Sequence, residues 1–118
     1  KQGYTIIGAT NQDYYQNKYF RERMAAQGVH MEELFDAVLV GHTVLKAQDL
    51  PKKRELVHKL EEGVYMPTSE KGCKPNDVYF YALKELAKKH KPNANTFIHT
   101  DDKQENIQGA HKVKGFAK

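Results

Sequence analysis

The absences in this chain narrow the field first. Its 118 residues hold one cysteine, Cys73, so an internal disulfide framework is excluded, and a reducing, cytoplasmic compartment is the better fit. No stretch approaches the ~20 consecutive apolar residues of a membrane-spanning helix, and no charged-then-apolar leader resembles a signal peptide. Internal repeats and low-complexity tracts are absent. A long block of one charge is missing too. The formal net charge is +4, but the lysines and arginines are interleaved with acids. The densest basic stretch, Lys84-Glu-Leu-Ala-Lys-Lys-His-Lys, falls near the end of an expected helix, where cations complement the dipole. A solvated helix end is read there in preference to a nucleic-acid patch.

What is present is ordinary for a soluble globular domain: 39% apolar and 29% charged residues, at a length suited to one domain or part of one. Strand and helix patterns alternate along it. Tyr4 to Thr10 reads as a strand, Gln12 to Gln27 as a helix with Tyr15, Tyr19, Phe20 and Met24 on one face and Gly28 at its end. Met31 to Phe35 is a short helix and Ala37-Val-Leu-Val a strand. Lys46 to Gly63 has helical periodicity through Leu50, Leu56, Val57 and Leu60. Asp77 to Lys89 is a helix burying Val78, Tyr81, Ala82, Leu83 and Leu86, and Pro92-Asn-Ala-Asn leads to a strand over Thr96 to His99. Short apolar strands alternating with helices imply an α/β fold with a parallel sheet covered on both faces.

The chemistry concentrates at three segment ends. Thr96-Phe-Ile-His-Thr-Asp-Asp-Lys-Gln-Glu-Asn-Ile-Gln-Gly-Ala is a short apolar run that ends in two carboxylates and turns into a helix. Ligands bind at the carboxyl ends of strands in such sheets, and Asp101 and Asp102 would repel each other there unless a metal or a lysine offsets their charge. The competing reading is an N-cap with Glu105 reaching back as in a capping box. Tyr4-Thr-Ile-Ile-Gly-Ala-Thr-Asn ends in Thr10 and Asn11 before a helix. Gly72-Cys-Lys-Pro-Asn-Asp places Lys74 just ahead of another.

Strand-Thr-Asn, Lys-Pro-helix and strand-Asp-Asp-helix, in that order, resemble the second, third and fourth motifs of the haloacid dehalogenase (HAD) superfamily. The resemblance spans nearly the whole chain and rests chiefly on Lys-Pro-x-x-x-x-Tyr/Phe and Asp-Asp-x-x-Glu-Asn-Ile-x-x-Ala. It implies a HAD-like Rossmannoid three-layer sandwich with a parallel sheet, incomplete in this chain. The family's first motif, a strand ending in Asp-x-Asp that supplies the nucleophile and the acid/base, does not occur here. This reading therefore expects residues 1–118 to be a partial core domain, the carboxyl-terminal part of a longer protein. Its missing amino-terminal segment would carry the nucleophile on a strand between those ending at Thr10 and Asp101. Losing that strand would leave unpaired edges.

The resemblance also assigns roles. Thr10, with the backbone N–H of Asn11, would hold a phosphoryl oxygen, and Lys74 would offset charge among phosphate and carboxylates. Asp102 would bind Mg2+, with Asp101 as a second ligand or an orienting group. Asn106 would be an orienting amide. The implied activity is Mg2+-dependent hydrolysis of a phosphomonoester, in a phosphorylated small molecule or a phosphoprotein, through an aspartyl-phosphate intermediate. The alternative is a non-catalytic interaction module or pseudoenzyme fragment on the same scaffold. A polynucleotide end phosphatase, supported only by the basic excess, is weaker still.

Three features stay open. Residues from about 44 to 71 intervene where compact relatives run directly into the lysine motif, and read as a small lid or flap or as a surface loop. His42 and His99 lie near strand ends, where histidines are usually packed or solvated. Cys73 beside Lys74 is read as a small, partly buried residue rather than a nucleophile.

Overall fold

The apolar run Ala37-Val-Leu-Val forms the centre of a four-stranded sheet. A computed structural model describes residues 4–42 and 55–117, with strands β1 (Ile7–Ala9), β2 (Ala37–Leu39), β3 (Val57–Glu61) and β4 (Val64–Pro67). Helices α1 (Tyr14–Ala26), α2 (Met31–Leu34), α3 (Asp77–His90) and α4 (Gln104–His111) complete the described elements. The sheet order is β1-β2-β4-β3. β1, β2 and β4 are parallel, and β3 pairs antiparallel with β4. The sheet is therefore mixed rather than wholly parallel as expected.

β2 is buried on both faces, which explains its unbroken apolar sequence. Ala37 and Leu39 pack into one cluster with Tyr79, Phe80, Leu83 and Leu86 of α3, and Val38 and Val40 into another with Val64, Met66, Phe35 and Tyr14. Each fully buried large side chain contributes roughly 1.5–3 kcal/mol. Along α3 the expected core face is shifted. Tyr79 and Phe80 are fully buried, whereas Tyr81 is 44% exposed: the packed stripe takes Tyr79 and Phe80 in place of Val78 and Tyr81 and keeps Ala82, Leu83 and Leu86.

The helix expected over Lys46 to Gly63 is overturned from Val57 onward, where the chain is a strand; residues 43–54 lie outside the described residues. Leu56, Val57 and Leu60 have helical spacing, but Glu62 and Gly63 form a two-residue hairpin loop between Glu61 and Val64. Gly63 takes φ +79° there, a left-handed conformation that glycine adopts without a Cβ penalty. Thus residues 57–67 of the expected flap are a hairpin of the sheet, strands β3 and β4 with the Glu62–Gly63 loop between them.

α1 departs in another way. It starts two residues later and ends one residue earlier than the expected Gln12 to Gln27, with Gly28, at φ +87°, just beyond its end, yet Tyr15 and Tyr19 are 69% and 63% exposed. The helix is held by polar contacts instead. Arg21 bonds Asn17 and Glu61, each at 2.8 Å, and Tyr14 donates to Glu61. Segment Thr96–His99 does not join the sheet. Only Phe97 bridges, in parallel with Phe116, and a cavity of about 1090 Å3 lies between this segment and β1.

Candidate functional site: a lysine clasped between two strand ends

The carboxyl ends of β1 and β2 are tied together first. Thr10 N–H donates to Leu39 O at 3.2 Å, and the Tyr79 hydroxyl, donated from α3, reaches Leu39 O at 2.6 Å and Thr10 O at 3.2 Å. Burial raises the Tyr79 pKa far above its ordinary value, so it stays a neutral donor. Gly41 is required beside this end, because a Cβ there would stand 2.7 Å from Asn11 O. The strand ends and the Asn11 turn are thereby held in one place.

Asn11 then fixes Lys74. Its amide donates to Lys74 O at 3.0 Å and accepts from Lys74 N–H at 2.7 Å, a two-pronged clasp across 63 residues of sequence. The Lys74 ammonium points inward, donating to Ala9 O at 3.0 Å and to Asp101 Oδ2 at 2.7 Å. Lysine has three N–H donors, and these two bonds use two of them. On the other side α4 presses on the same turn. Gly109 faces Pro75 O too closely for any Cβ, so glycine is what lets α4 seat there.

Asp101 is the hub. Its side chain is 4% exposed and accepts four hydrogen bonds. Lys74 and His99 Nε2 reach Oδ2 at 2.7 and 3.1 Å, and Lys103 N–H and Asn106 Nδ2 reach Oδ1 at 3.0 and 3.2 Å. Burial pushes this carboxyl up, but the Lys74, Lys103 and Asn106 bonds outweigh it and hold the pKa well below the carboxylate range. Because Asp101 is ionised and can only accept, His99 carries its proton on Nε2. Burial lowers the His99 pKa, and its bond to Asp101 only partly opposes that. The imidazole is therefore neutral at pH 7, with its ring edge-on to Phe80 at 5.0 Å.

Thr10, Asn11, Lys74 and Asp101 thus converge from three distant segments. Thr10 does so mainly through its backbone, since its hydroxyl accepts from Gln12 N–H at 3.1 Å. Asp102 is exposed beside them. The capping-box alternative is overturned: Lys103 is the N-cap of α4, and no side chain caps it. For α1 the N-cap is Asp13, in a capping box with Gln16. Asn106 is buried and orients Asp101. His42 turns away to Pro67 O at 3.0 Å. Cys73 is exposed rather than partly buried, because the turn before Lys74 faces outward.

Among the described residues no group of three His, Cys, Asp or Glu side chains could hold a metal. The four lone-pair positions of Asp101 are all taken, so it does not fit as a metal ligand in this arrangement. Asp102 fits as a single exposed oxygen donor, and Mg2+ is commonly held by one or two carboxylates plus water and substrate phosphate. Comparisons with protein-family models, with curated proteins and with solved structures each found no match. No described helix is long and apolar enough to cross a membrane.

Proposed function

We propose that this chain is the phosphate-handling part of a Mg2+-dependent, HAD-like phosphomonoester hydrolase whose nucleophilic aspartate lies outside it. The observation that carries the reading is the Lys74–Asp101 pair, with Lys74 clasped by Asn11 at the carboxyl end of β1. Three segments that resemble ordered motifs in sequence meet in space where an α/β sheet binds ligands. In this reading the fold is a three-layer Rossmannoid sandwich lacking one strand. Lys74 directs its third N–H to a phosphoryl oxygen, while Asp101, His99 and Asn106 keep the ammonium in position. The Thr10–Asn11 turn would supply further donors to that phosphoryl group. Asp102 would contribute one oxygen to Mg2+, which would supply charge neutralisation, as the Lys74 cation is already balanced by Asp101. The substrate is a phosphorylated small molecule or a phosphoprotein, and the compartment cytoplasmic.

One observation favours a second reading, a non-catalytic scaffold. All four acceptor positions of Asp101 are engaged internally, as in a structural hub. An aryl phosphate assay on the complete polypeptide containing this chain separates the two. Mg2+-dependent turnover abolished by chelation supports the hydrolase, no turnover at any Mg2+ concentration supports the scaffold, and turnover by the 118-residue chain alone would refute an external nucleophile.

A further inference from the structure

Positive charge is concentrated on one flank of this protein. Residues 84–91 and 112–114 hold six lysines and one glutamate, an excess larger than the formal net charge of +4 carried by all 118 residues, so the remainder is slightly acidic. Folding brings the two stretches together. Gly109 packs against Pro75 and Phe80, so α4 runs alongside α3, and the turn after it reaches the middle of α3, where the Lys84 ammonium donates to Lys114 O at 2.8 Å. Lys88, Lys112 and Lys114 are exposed, and none of the three pairs with a carboxylate among the described residues. A solvated helix end accounts for little of this excess. Each helix end offers only about half a negative charge, so one lysine offsets the ends of α3 and α4 together.

The same flank carries an aromatic ring. At the period of an α-helix, Tyr81, Lys84 and Lys88 fall within one arc of about 60° on α3, with Asp77 one turn before Tyr81 and Glu85 at its border. Tyr81 is the one large apolar side chain left exposed on this helix. A lone ring is too little for a lipid surface, which takes up a whole apolar helix face, and a duplex keeps the faces of its bases stacked inside. A single strand offers both of the chemistries found here, phosphates for a row of cations and an unpaired base for an aromatic face. We propose that the α3 flank bearing Tyr81, Lys84 and Lys88, with Lys112 and Lys114 beside it, binds single-stranded nucleic acid. The phosphates lie along the lysines, and a base stacks on Tyr81. Tyr81 to Lys88 spans about 10 Å of helix, or roughly three nucleotides at about 3.4 Å each, and Lys112 and Lys114 widen the track. Lys74 and Asp101 pair beyond the opposite, amino-terminal end of α3, so this binding survives or fails separately from the hydrolase reading.

The probe is a fluorescein-labelled oligothymidylate of about 12 nucleotides, within the ~4–16 that one single-strand-binding fold covers, titrated into the 118-residue chain. Saturable binding that weakens with salt is the expected result. For single strands the log–log salt slope is about −0.7 per phosphate neutralised. The triple variant Lys88→Gln/Lys112→Gln/Lys114→Gln should therefore make that slope shallower by about 2 and lower the affinity at least about tenfold. Tyr81→Ser should weaken binding about fivefold or more with the slope unchanged, while Tyr81→Phe, which keeps the ring, should bind as the wild type does. These positions are exposed, so the melting curves of all three variants should match that of the wild type. No binding at low salt, an undiminished affinity in Tyr81→Ser, or equal binding to polyglutamate, to phosphatidylserine vesicles or to a duplex of the same length overturns the proposal.

Discussion

Replacing Asp101 with Asn changes almost no volume but should cost about 3–5 kcal/mol, the range for leaving one partner of a buried ion pair uncompensated. The structure says why. Lys74 and Asp101 side chains are 10% and 4% exposed, so solvent screens the pair little. The carboxylate accepts four bonds, two at each oxygen. An amide offers one oxygen. Whichever way it turns, its NH2 faces two donors, either Lys74 with His99 or Lys103 N–H with Asn106. For a chain of this length about 3 kcal/mol corresponds to a fall of about 10–15 °C in melting temperature. Asp102→Asn, at an exposed position, should stay within about 0.5 kcal/mol. Lys74→Met alone should be as damaging as Asp101→Asn, since it strands the carboxylate, while the double variant Lys74→Met/Asp101→Asn should recover on the order of 2 kcal/mol relative to additivity. Thermal and urea melts of the four variants measure this. If Asp101→Asn is no worse than Asp102→Asn, the buried pair is not what holds the strand ends together, and the reasoning fails.

Tyr79→Phe removes the only side-chain donor described for Leu39 O and Thr10 O, and should cost about 1–3 kcal/mol in a urea melt; an unchanged midpoint would contradict the bridging role. For pH, both perturbed groups at the hub have the same sign. The folded pKa of His99 is depressed, so its contribution is whole above its unfolded value of about 6.5 and shrinks as pH falls toward the folded one. Asp101, also depressed, contributes fully above about pH 4 and is lost below that. His99→Gln, which cannot titrate, should lose less stability than the wild type between about pH 6.5 and 4.5; parallel melting profiles would contradict it. Asp102→Asn in the complete polypeptide should raise the Mg2+ concentration needed for half-maximal activity by an order of magnitude or more with an unchanged melting curve, and an unaltered Mg2+ dependence would remove Asp102 from the metal site.

The elements with strong local signals were legible in sequence. β2 announced itself as an unbroken apolar run, α3 by its period, and α1 by Gly28 at its end. Legibility ended where two periods compete. Leu56, Val57 and Leu60 fit a helix as well as a strand, and only the Glu62–Gly63 loop, with its left-handed glycine, decides for the hairpin. The aromatic face of α1 pointed to a core that the described chain does not build: of its four residues only Phe20 lines the cleft beside β1, and Tyr15 and Tyr19 are exposed.

At the site, Asn11, Lys74 and Asp101 could be named from their places at segment ends, but their connections could not. That Asn11 clasps Lys74 through the main chain depends on two turns brought together over 63 residues. His99 was set aside as a packed or solvated histidine, although its place two residues before Asp101 was a usable signal, since residues i and i+2 of an extended segment share a face and the ring meets the carboxylate. Tyr79 was missed because the expected core face of α3 ran through Val78 and Tyr81 and left it out. It is core, and its hydroxyl still ties β1 to β2.

In the proposed hydrolase Lys74 serves phosphoryl chemistry and not the fold alone, and the direct measurement is turnover of an aryl phosphate by the complete polypeptide with Lys74 or with arginine in its place. Lys74→Arg keeps the charge and can still pair with Asp101, but its planar fork cannot direct one compact N–H to the phosphoryl oxygen while donating to Ala9 O. The expected result is a loss of about 100-fold or more in kcat with the Mg2+ dependence intact and a melting temperature close to that of the wild type. Full activity in the arginine variant, or an activity loss matched by loss of the fold, would contradict a direct role for Lys74.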